Sequence, residues 1–332
     1  MPRRGKQVTL KDIADSLGLS VNTISCALKN RNSIAPETVE RIKEKAAELG
    51  YIPNSIASSM RTGYTKTIAI ILGDIANAYF SIMVKELERN IRAEGYTAII
   101  LVTDEDAELE NQAIQMAVSK NVDGIFLFPT CRTETGISLM RKVGLPFVLI
   151  GRRFKDPMMD YIVSDDVLGG YIATKYLLDK GHRNILHFAG PDCVSSAFER
   201  KLGYLKAVKK ARLPYKDDWI VPCDITVGDE SNALIQEVLS GRPEFRAIFT
   251  YNDIIAFRII RIAREMGLVM PDIVGYDNIQ SKIDLGFALP SVNIHKSKMA
   301  EQAAACLFSR IRRQGRKDKH MNEVVPVELI YG

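Results

Sequence analysis

The feature that most constrains the fold begins at residue 67, where short apolar runs start to alternate with amphipathic stretches of helical spacing. This alternation is typical of parallel strands joined by helices, which gives sheets covered by helices on both faces. The runs are too numerous for one sheet of ordinary size, so the sequence predicts two lobes. The predicted strands are Thr67–Leu72, Thr97–Val102, Gly124–Phe128, Phe147–Ile150, Ile162–Ser164, Ile185–Ala189, Trp219–Val221, Ala247–Thr250 and Ile273–Tyr276. Helices such as Phe80–Glu94 and Glu108–Lys120 lie between them.

Composition excludes several classes of protein. The chain has 332 residues, 46% of them hydrophobic and 26% charged, which is ordinary for globular domains and unlike disordered or collagenous chains. No apolar run reaches the roughly 18 residues that a membrane-spanning helix needs. The N-terminal residues lack the apolar core of a signal peptide, so we expect no membrane association and a cytoplasmic location.

The cysteines are scattered single residues: Cys26, Cys131, Cys193, Cys223 and Cys306. Their wide spacing and odd number predict neither a disulfide framework nor a zinc site. The 4 histidines are equally scattered, and no phosphate loop, dinucleotide-binding glycine motif or nucleophile elbow is present. The sequence therefore predicts no enzyme, no catalytic or metal-binding residues and no cofactor.

The net charge is confined to one end of the chain. Residues 1–66 carry 11 Lys and Arg against 6 Asp and Glu, whereas residues 67–332 carry 34 of each kind. The whole formal charge of +5 therefore belongs to the first fifth of the sequence. A small basic module joined to a neutral body favours contact with nucleic acid at that end, although a merely basic tail is the simpler alternative.

Residues 8–49 have the pattern of three short helices. Thr9 is a capping residue before the first helix, and Gly18 ends that helix. Ser20 begins the second helix and Pro36 the third. Two short helices across a tight turn, followed by a supporting third, predict a helix-turn-helix unit whose second helix enters the major groove of DNA.

The outward positions of the second helix are small or polar, which suits close approach to bases and phosphates. These positions are Val21, Asn22, Thr23, Ser25 and Cys26. A plain three-helix bundle is the alternative, in which the same face is simply solvated.

Specific stretches carry more information than helical spacing. Residues 8–25 read VTLKDIADSLGLSVNTIS and residues 37–54 read ETVERIKEKAAELGYIPN, with further characteristic residues at 55–60 and 65–70. Together they resemble the headpiece of the LacI/GalR family of bacterial transcription repressors. The resemblance implies a DNA-binding headpiece over about 1–52 and a hinge helix with its linker over 53–66. It implies DNA contacts for Thr9, Ser20, Val21, Asn22, Thr23, Ser25, Cys26, Asn30, Ser59 and Met60.

The headpiece departs from the family pattern at three positions. Cys26 stands where the reading helix commonly has arginine, and a thiol cannot make the bidentate contact of arginine with guanine. Ala35 replaces the usual capping residue of the third helix. Met60 replaces a leucine that the family presses between base steps, and we expect Met60 to act as this apolar wedge. The alternative is a flexible linker whose Met60 packs on the body.

The body, residues 67–332, resembles the periplasmic-binding-protein fold that the family fuses to its headpiece. The resemblance implies an N-lobe at about 67–161 and 291–322, and a C-lobe at about 162–290 and 323–332. A small ligand is expected in the crevice between the lobes, at the carboxyl ends of the strands. The predicted fold class is thus a small all-α headpiece plus a two-lobed α/β body.

The resemblance also implies a set of effector-binding residues: Tyr79, Phe80, Arg152, Ser196, Arg200, Ile225, Asn252 and Asp277. Arg200, Asn252 and Asp277 offer a polar clamp for a hydroxylated ligand. Ile225 stands where the family often has an aromatic lid, which disfavours a stacked nucleoside. The stretch Asp165–Gly170 is interpreted as mainly structural.

These features together predict a dimeric, ligand-responsive repressor that binds a pseudopalindromic double-stranded DNA operator. Its effector is expected to be a small sugar or sugar derivative, and the repressed genes would then serve carbohydrate use. Two alternatives stay open. One is a free-standing sugar-binding protein without a DNA role, which should lack the basic headpiece, and the other is a repressor that responds to a nucleoside or purine.

Overall fold

The computed structural model describes residues 8–28, 34–52, 59, 63–131, 134–156, 158–223, 229–242, 244–281, 289–313 and 319–331. The chain divides into two compact units, Met1–Gly63 and Tyr64–Gly332.

The first unit contains the predicted helices. They are α1 (Leu10–Leu17), α2 (Val21–Leu28) and α3 (Pro36–Glu48). Thr9 and Asp12 form a capping box at α1: the Asp12 backbone N–H donates to the Thr9 hydroxyl at 3.3 Å, and the Thr9 N–H donates to the Asp12 carboxylate at 2.7 Å. Gly18 ends α1 with φ +66°, a conformation that glycine adopts without strain. Ala35 caps α3 without a side-chain hydrogen bond, as its chemistry requires.

The core of this unit is formed by one face of each helix. Its buried side chains are Ile13, Ala14, Ile24, Ala27, Ile42 and Ala46. These are positions of the apolar faces that helical spacing predicted, so the sequence pattern is confirmed. Burying one side of α2 directs the opposite side, which includes Val21 and Asn22, to the surface.

The second unit alternates strands and helices. The strands are β1 (Thr67–Leu72), β2 (Thr97–Val102), β3 (Gly124–Leu127), β4 (Phe147–Ile150), β5 (Tyr161–Ser164), β6 (Ile185–Ala189), β7 (Ile220–Pro222), β8 (Ala247–Thr250), β9 (Asp272–Tyr276), β10 (Ser291–Asn293), β11 (Asn322–Val325) and β12 (Glu328–Ile330). The helices are α4 (Ala78–Ala93), α5 (Ala107–Ser119), α6 (Glu134–Val143), α7 (Asp166–Asp179), α8 (Ser195–Lys210), α9 (Asp229–Gly241), α10 (Asp253–Glu265) and α11 (Lys296–Arg312). Among the described residues, no helix is both long and apolar enough to cross a membrane.

The strands form two six-stranded sheets, which confirms the predicted two-lobed α/β body. The first sheet has the order β11-β5-β4-β3-β1-β2, and all its pairs are parallel. The second sheet has the order β12-β10-β9-β8-β6-β7, and only its β10–β12 pair is antiparallel. In each sheet the first strand of the lobe, β1 or β6, lies inside the sheet. Strand order therefore reverses beside it, which opens a crevice at the carboxyl ends.

The lobe boundaries lie further along the chain than the sequence indicated. Strand β5 ends at residue 164 in the first sheet, β10 ends at 293 in the second, and β11 ends at 325 in the first. The expected limits at 161, 290 and 322 are each too early by about three residues, since the crossing follows the carboxyl end of each strand. Strands β10 to β12 were not predicted because they are only three or four residues long and contain polar residues, so they form no continuous apolar run.

The expectation of no disulfide is wrong. Cys131 and Cys193 form one, with their Cα atoms 5.3 Å apart. The two residues follow strands of different sheets and are separated by 62 positions, so their pairing depends on the three-dimensional fold and not on local spacing. The other three cysteines remain thiols. No cluster of metal-ligating side chains occurs among the described residues.

Glycines allow helices α7 and α8 to approach at backbone distance. A Cβ atom at Gly203 would lie 2.3 Å from the carbonyl oxygen of Val167, and one at Gly170 would lie 2.1 Å from the carbonyl oxygen of Arg200. Both neighbours are main-chain atoms, which cannot move aside as a flexible side chain does. The contact therefore fixes the position of α8 on α7.

We expect Gly203→Ala to destabilise the protein by about 1–3 kcal/mol, because overpacking forces the two helices apart. Gly241→Ala is the matched control: it also lies in a helix, but its added Cβ would meet no atom within 4 Å. That change should be neutral or slightly stabilising. Urea unfolding of the three proteins measures the difference, and equal free energies of unfolding would contradict the close contact.

Candidate functional site

A cavity of about 220 Å³ lies between the two lobes, at the carboxyl ends of their strands. This volume is just below the range of about 300–1,000 Å³ typical of drug-sized ligands, so it suits a small metabolite. Its lining consists of Asp74, Asn77, Tyr79, Phe80, Asp104, Glu105, Phe128, Ile150, Gly151, Arg152, Ser196, Arg200, Tyr251, Asn252 and Asp277.

The structure brings most of the candidate effector residues to this one cavity. Those that line it are Tyr79, Phe80, Arg152, Ser196, Arg200, Asn252 and Asp277. They come from loops and helix starts spread over about two hundred positions of sequence. Ile225, the remaining candidate, lies outside the described residues.

Several lining residues were not identified from the sequence. Asp104 and Glu105 follow β2, Phe128 follows β3, and Tyr251 follows β8. Asp74 similarly follows β1. The rule that ligands bind beyond the carboxyl ends of parallel strands would have found them, because each comes within three residues of such an end.

Arg200 is the most constrained polar group of the cavity. Its Nε–H donates to Asp166 Oδ1 at 2.9 Å, its Nη1 to the carbonyl oxygen of Tyr251 at 2.6 Å, and its Nη2 to Asp277 Oδ1 at 3.4 Å. The guanidinium also lies 3.6 Å from the centre of the Tyr276 ring and 4.7 Å from that of Tyr251. Two carboxylates, a carbonyl and two aromatic faces thus hold the cation at one place and in one plane.

Burial sets the electrostatics around this cation. Desolvation raises the pKa of the Asp166 carboxyl to about 6, while Arg200 opposes that rise. Burial also raises the pKa of Asp277, against the lowering effects of Arg200 and Lys296. Asp166 belongs to the stretch interpreted as mainly structural, yet it is the buried ion partner of a cavity residue. That interpretation therefore missed a supporting role.

Arg152 lines the opposite side of the cavity and is paired within its own lobe. Its two terminal nitrogens donate to the two carboxylate oxygens of Glu105, at 2.6 and 2.9 Å. Nη1 also donates to the carbonyl oxygen of Pro129 at 2.9 Å. The two parallel hydrogen bonds fix the orientation of both side chains. Arg152 and Glu105 together present a pair without net charge to the cavity.

Aromatic rings form an apolar wall beside these charges. Phe80 and Phe128 are perpendicular, with ring centres 5.4 Å apart, and Tyr79 packs edge-on against both at 5.0 and 6.2 Å. Asn77 begins α4 by accepting a hydrogen bond from the Tyr79 backbone N–H at 3.0 Å. The helix cap therefore positions this aromatic wall directly.

The loop after β9 has an unusual backbone. Asp277 and Asn278 both have positive φ angles, 89° and 48°, which non-glycine residues adopt at a cost. Lys296, at the start of α11, donates from Nζ to the carbonyl oxygens of both residues and lies at 3.2 Å from that of Asn278. Lys296 is only 5% exposed, so a buried ammonium maintains the loop that presents Asp277.

The N-terminus of α10 supplies a further polar group to the cavity. The Asn252 side-chain oxygen caps the helix by accepting from the Ile255 N–H at 3.0 Å, which orients the side chain and leaves its amide hydrogens as donors for a ligand. Asp253 accepts from the Ser291 hydroxyl at 2.6 Å and from the Ile279 N–H at 2.8 Å. Desolvation raises the pKa of this carboxyl to about 7.

The headpiece presents a separate candidate surface on α2. Val21 is 44% exposed and Asn22 is also exposed. The Ser20 hydroxyl accepts from the Thr23 N–H at 3.0 Å, which confirms Ser20 as the residue that begins the helix. Cys26 donates from Sγ to the Asn22 side-chain oxygen at 3.9 Å, so these two outward side chains are neighbours.

The hinge candidates are described only in part. Ser59 accepts a hydrogen bond at its carbonyl oxygen from the Gly63 N–H at 2.8 Å. Asn30 and Met60 lie outside the described residues, so their predicted DNA contacts stay predictions.

Two family models match the chain and cover both of its units. The model described as "Bacterial regulatory proteins, lacI family" matches residues 9–54. The model described as "Periplasmic binding proteins and sugar binding domain of LacI family" matches residues 65–327.

Individual proteins agree with these models. The HTH-type transcriptional repressor PurR of Histophilus somni strain 129Pt is 30% identical over 330 residues, which cover 97% of each chain. The lac repressor dimer bound to operator and the anti-inducer ONPF has the same fold, with a TM-score of 0.83, 20% identity and 98% coverage of each chain. A periplasmic binding protein/LacI transcriptional regulator from Alkaliphilus metalliredigens, complexed with D-xylulofuranose, is 25% identical with a TM-score of 0.69 and covers 80% of this chain and 97% of its own.

The raised pKa of Asp253 predicts a specific dependence of stability on pH. Between the ordinary value of 3.8 and about 7, the folded protein keeps a proton that the unfolded chain loses. Raising the pH through this window therefore lowers the free energy of unfolding. Asp253→Asn should remove that contribution and flatten the decline, as measured by urea unfolding at several pH values.

Asp156→Asn is the control for that experiment. A backbone hydrogen bond from Met158 lowers the pKa of the Asp156 carboxyl, so its contribution to stability is lost as the pH falls. The two substitutions should thus change the pH profile in opposite directions. An unaltered profile in Asp253→Asn would show that this carboxyl does not titrate near neutrality.

Proposed function

The chain belongs to the LacI family of bacterial regulatory proteins, and from that premise we propose that it represses transcription by binding operator DNA as a homodimer under the control of a small effector. One observation carries the proposal. The same chain holds a helix-turn-helix headpiece and an interlobe cavity lined by all the candidate effector residues that the structure describes. No catalytic role is assigned to the cavity. A DNA-bound regulator works beside the chromosome, which supports a cytoplasmic location.

Operator recognition belongs to α2 in this proposal. Its outward residues enter the major groove, while Thr9 and the basic side chains around it contact phosphates. Two headpieces of a dimer then read the two halves of a pseudopalindrome. Ser59 and Met60 belong to the hinge, where Met60 is the wedge that enters the minor groove.

The effector is proposed to be a neutral polyhydroxylated molecule. Four carboxylates and two guanidinium groups line the cavity, so its charge balance disfavours phosphorylated or acidic ligands. The amide of Asn252, the Ser196 hydroxyl and the Arg200 fork supply hydrogen bonds to hydroxyl groups. The aromatic wall covers one apolar face of a sugar ring. The relative complexed with D-xylulofuranose supports this class of ligand.

A purine or nucleoside is the second candidate. The relatives that are 30% identical include a repressor named PurR, and the rings of Tyr79, Phe80 and Phe128 offer faces and edges for a flat base. The edge-to-face arrangement of these rings leaves no pair of parallel faces between which a base could stack. A sugar is therefore favoured over a purine.

The effector acts by preferring one arrangement of the two lobes. A ligand shifts an equilibrium only by its difference in affinity between the states, so contacts with both lobes are essential. Asp277 and Arg200 lie on the second lobe, while Arg152 and Tyr79 lie on the first. A ligand that bridges these residues stabilises the closed arrangement and thereby changes operator affinity.

The effector prediction is tested with neutral monosaccharides, sugar phosphates, purine bases and nucleosides. We expect a neutral sugar to raise the melting temperature and to alter operator binding. Arg200→Lys and Asp277→Asn should weaken its binding roughly ten- to hundredfold, because a lost charged hydrogen bond costs about 1.5–3 kcal/mol. Calorimetry with the sugar that binds measures both constants.

Arg141→Lys is the matched control, because Arg141 forms an exposed ion pair with Asp156 outside the cavity lining. It should leave effector affinity unchanged. Binding of a purine alone would transfer the assignment to the second candidate. Unchanged sugar affinity in both cavity variants would show that the site lies elsewhere.

The preference of the protein for particular DNA sequences is tested by substituting Cys26. Cys26→Arg should change the preferred half-site towards guanine at one position, because a bidentate arginine contact is worth about 1–3 kcal/mol of discrimination. Selection from random DNA measures the preference. Cys26→Ser, which adds no guanidinium, should return the motif of the unaltered protein. The same motif from Cys26→Arg would show that this position does not face a base edge.

A further inference from the structure

A covalent bond joins the two lobes at the edge of the cavity. Cys131 lies four residues beyond the end of β3, and Cys193 lies four residues beyond the end of β6. These strands belong to different sheets, so the disulfide crosses the interlobe crevice. We propose that Cys131 and Cys193 form a reversible thiol–disulfide site that reacts with glutathione-type thiols and locks the lobes closed.

The position of the pair relates it directly to the cavity. Phe128 precedes Cys131 by three residues and Ser196 follows Cys193 by three, and both of these neighbours line the cavity. The Cys131 side chain, although it comes from the first lobe, packs against the buried apolar cluster of the second lobe. The lobes are therefore in close contact around the disulfide, and opening the crevice requires these contacts to separate.

The other described contacts between the lobes near the disulfide are non-covalent. The Arg153 backbone N–H donates to the Ser195 hydroxyl at 2.9 Å, and its guanidinium forms an ion pair with Glu199 at 2.6 Å. The Arg153 side chain is 37% exposed, and partly exposed ion pairs contribute little to the free energy. Non-covalent contacts thus allow opening, whereas the disulfide prevents it.

Accessibility favours exchange with a small thiol. Cys193 is exposed and Cys131 is partly buried, while Cys223 and Cys306 are buried. Thiolate attack therefore falls on the sulfur of Cys193. Disulfide exchange requires this access, because the attacking sulfur must reach the bond.

The proposed function indicates why such a bond would be reversible, and to that extent the inference rests on it. A protein that binds the chromosome works in a compartment where glutathione and thioredoxin keep thiols reduced. Disulfides formed there are mostly transient and respond to the redox state. A bond across a ligand crevice then makes effector exchange depend on that state.

Reduction of the Cys131–Cys193 disulfide consumes two equivalents of glutathione. A glutathione thiolate attacks Cys193 Sγ, forms a mixed disulfide and releases Cys131 as a thiolate, which takes up a proton. A second glutathione thiolate attacks the glutathione sulfur of the mixed disulfide and releases Cys193. Two electrons pass to the protein, and the products are two cysteine thiols and glutathione disulfide. Glutathione disulfide drives the reverse reaction.

The test equilibrates the purified full chain in mixtures of reduced and oxidised glutathione, traps thiols by alkylation and identifies peptides by mass. We expect Cys131 and Cys193 to change together, as one intramolecular pair. Hydrogen exchange of the cavity segments 74–80 and 251–253 should be severalfold slower in the oxidised chain. The double variant Cys131→Ser/Cys193→Ser should exchange like the reduced chain under every condition.

Three outcomes would overturn the proposal. The pair could stay reduced in fully oxidised glutathione, could link two different chains, or could form without slowing hydrogen exchange of the cavity segments. Neither DNA nor effector takes part in these measurements. A failure here therefore leaves operator binding untouched, and a failure of operator binding does not alter the thiol result.

Discussion

The second lobe is organised around the buried guanidinium of Arg200. A buried cation is costly unless its charge and its N–H groups are paired, and here three separate segments supply the partners. Asp166 begins α7, the Tyr251 carbonyl follows β8, and Asp277 follows β9. Because each partner belongs to a different element, displacing one leaves an unpaired charge that the others cannot satisfy. A ligand that contacts this guanidinium thus acts on the whole carboxyl edge of the sheet.

The close packing of the α7 and α8 backbones also fixes the position of Arg200 beside Asp166. Gly170 leaves room for the carbonyl oxygen of Arg200 itself, so α7 approaches α8 at the residue whose side chain Asp166 holds. Tyr276 lies over the guanidinium, and a Cβ atom at Gly169 would lie 1.9 Å from its hydroxyl. The stretch Asp165–Gly170 therefore provides both the close packing of the helices and the carboxylate partner of Arg200. In this stretch the glycines that allow close packing and the carboxylate that pairs with Arg200 are therefore needed together.

The sequence predicted those parts of the molecule that depend on local pattern. The central strand Thr67–Leu72 is a continuous apolar run because both faces of its sheet are covered, and the sequence predicts its limits correctly. The predicted limits of β3, β5, β7 and β9 differ from the structure by one residue. Asp104 and Glu105 were missed because they are polar loop residues whose role depends on the adjacent strand order. The pairing of Cys131 with Cys193 was missed for the same reason, since two lobes must first be assembled. The local sequence pattern thus predicts individual strands and helices, whereas contacts between residues of different strands can be predicted only once the strand order is known.

The buried arginines of the cavity are paired within their own lobes and so do not hold the two lobes together. Arg152 is paired with Glu105 in the first lobe, and Arg200 with Asp166 and Asp277 in the second. Opening the crevice therefore keeps these three buried pairs intact, while it separates the partly exposed pair of Arg153 and Glu199. The intralobe pairs therefore contribute little to the free-energy difference between open and closed arrangements. Buried charges paired across the crevice would instead lose their partners on opening, which is strongly unfavourable.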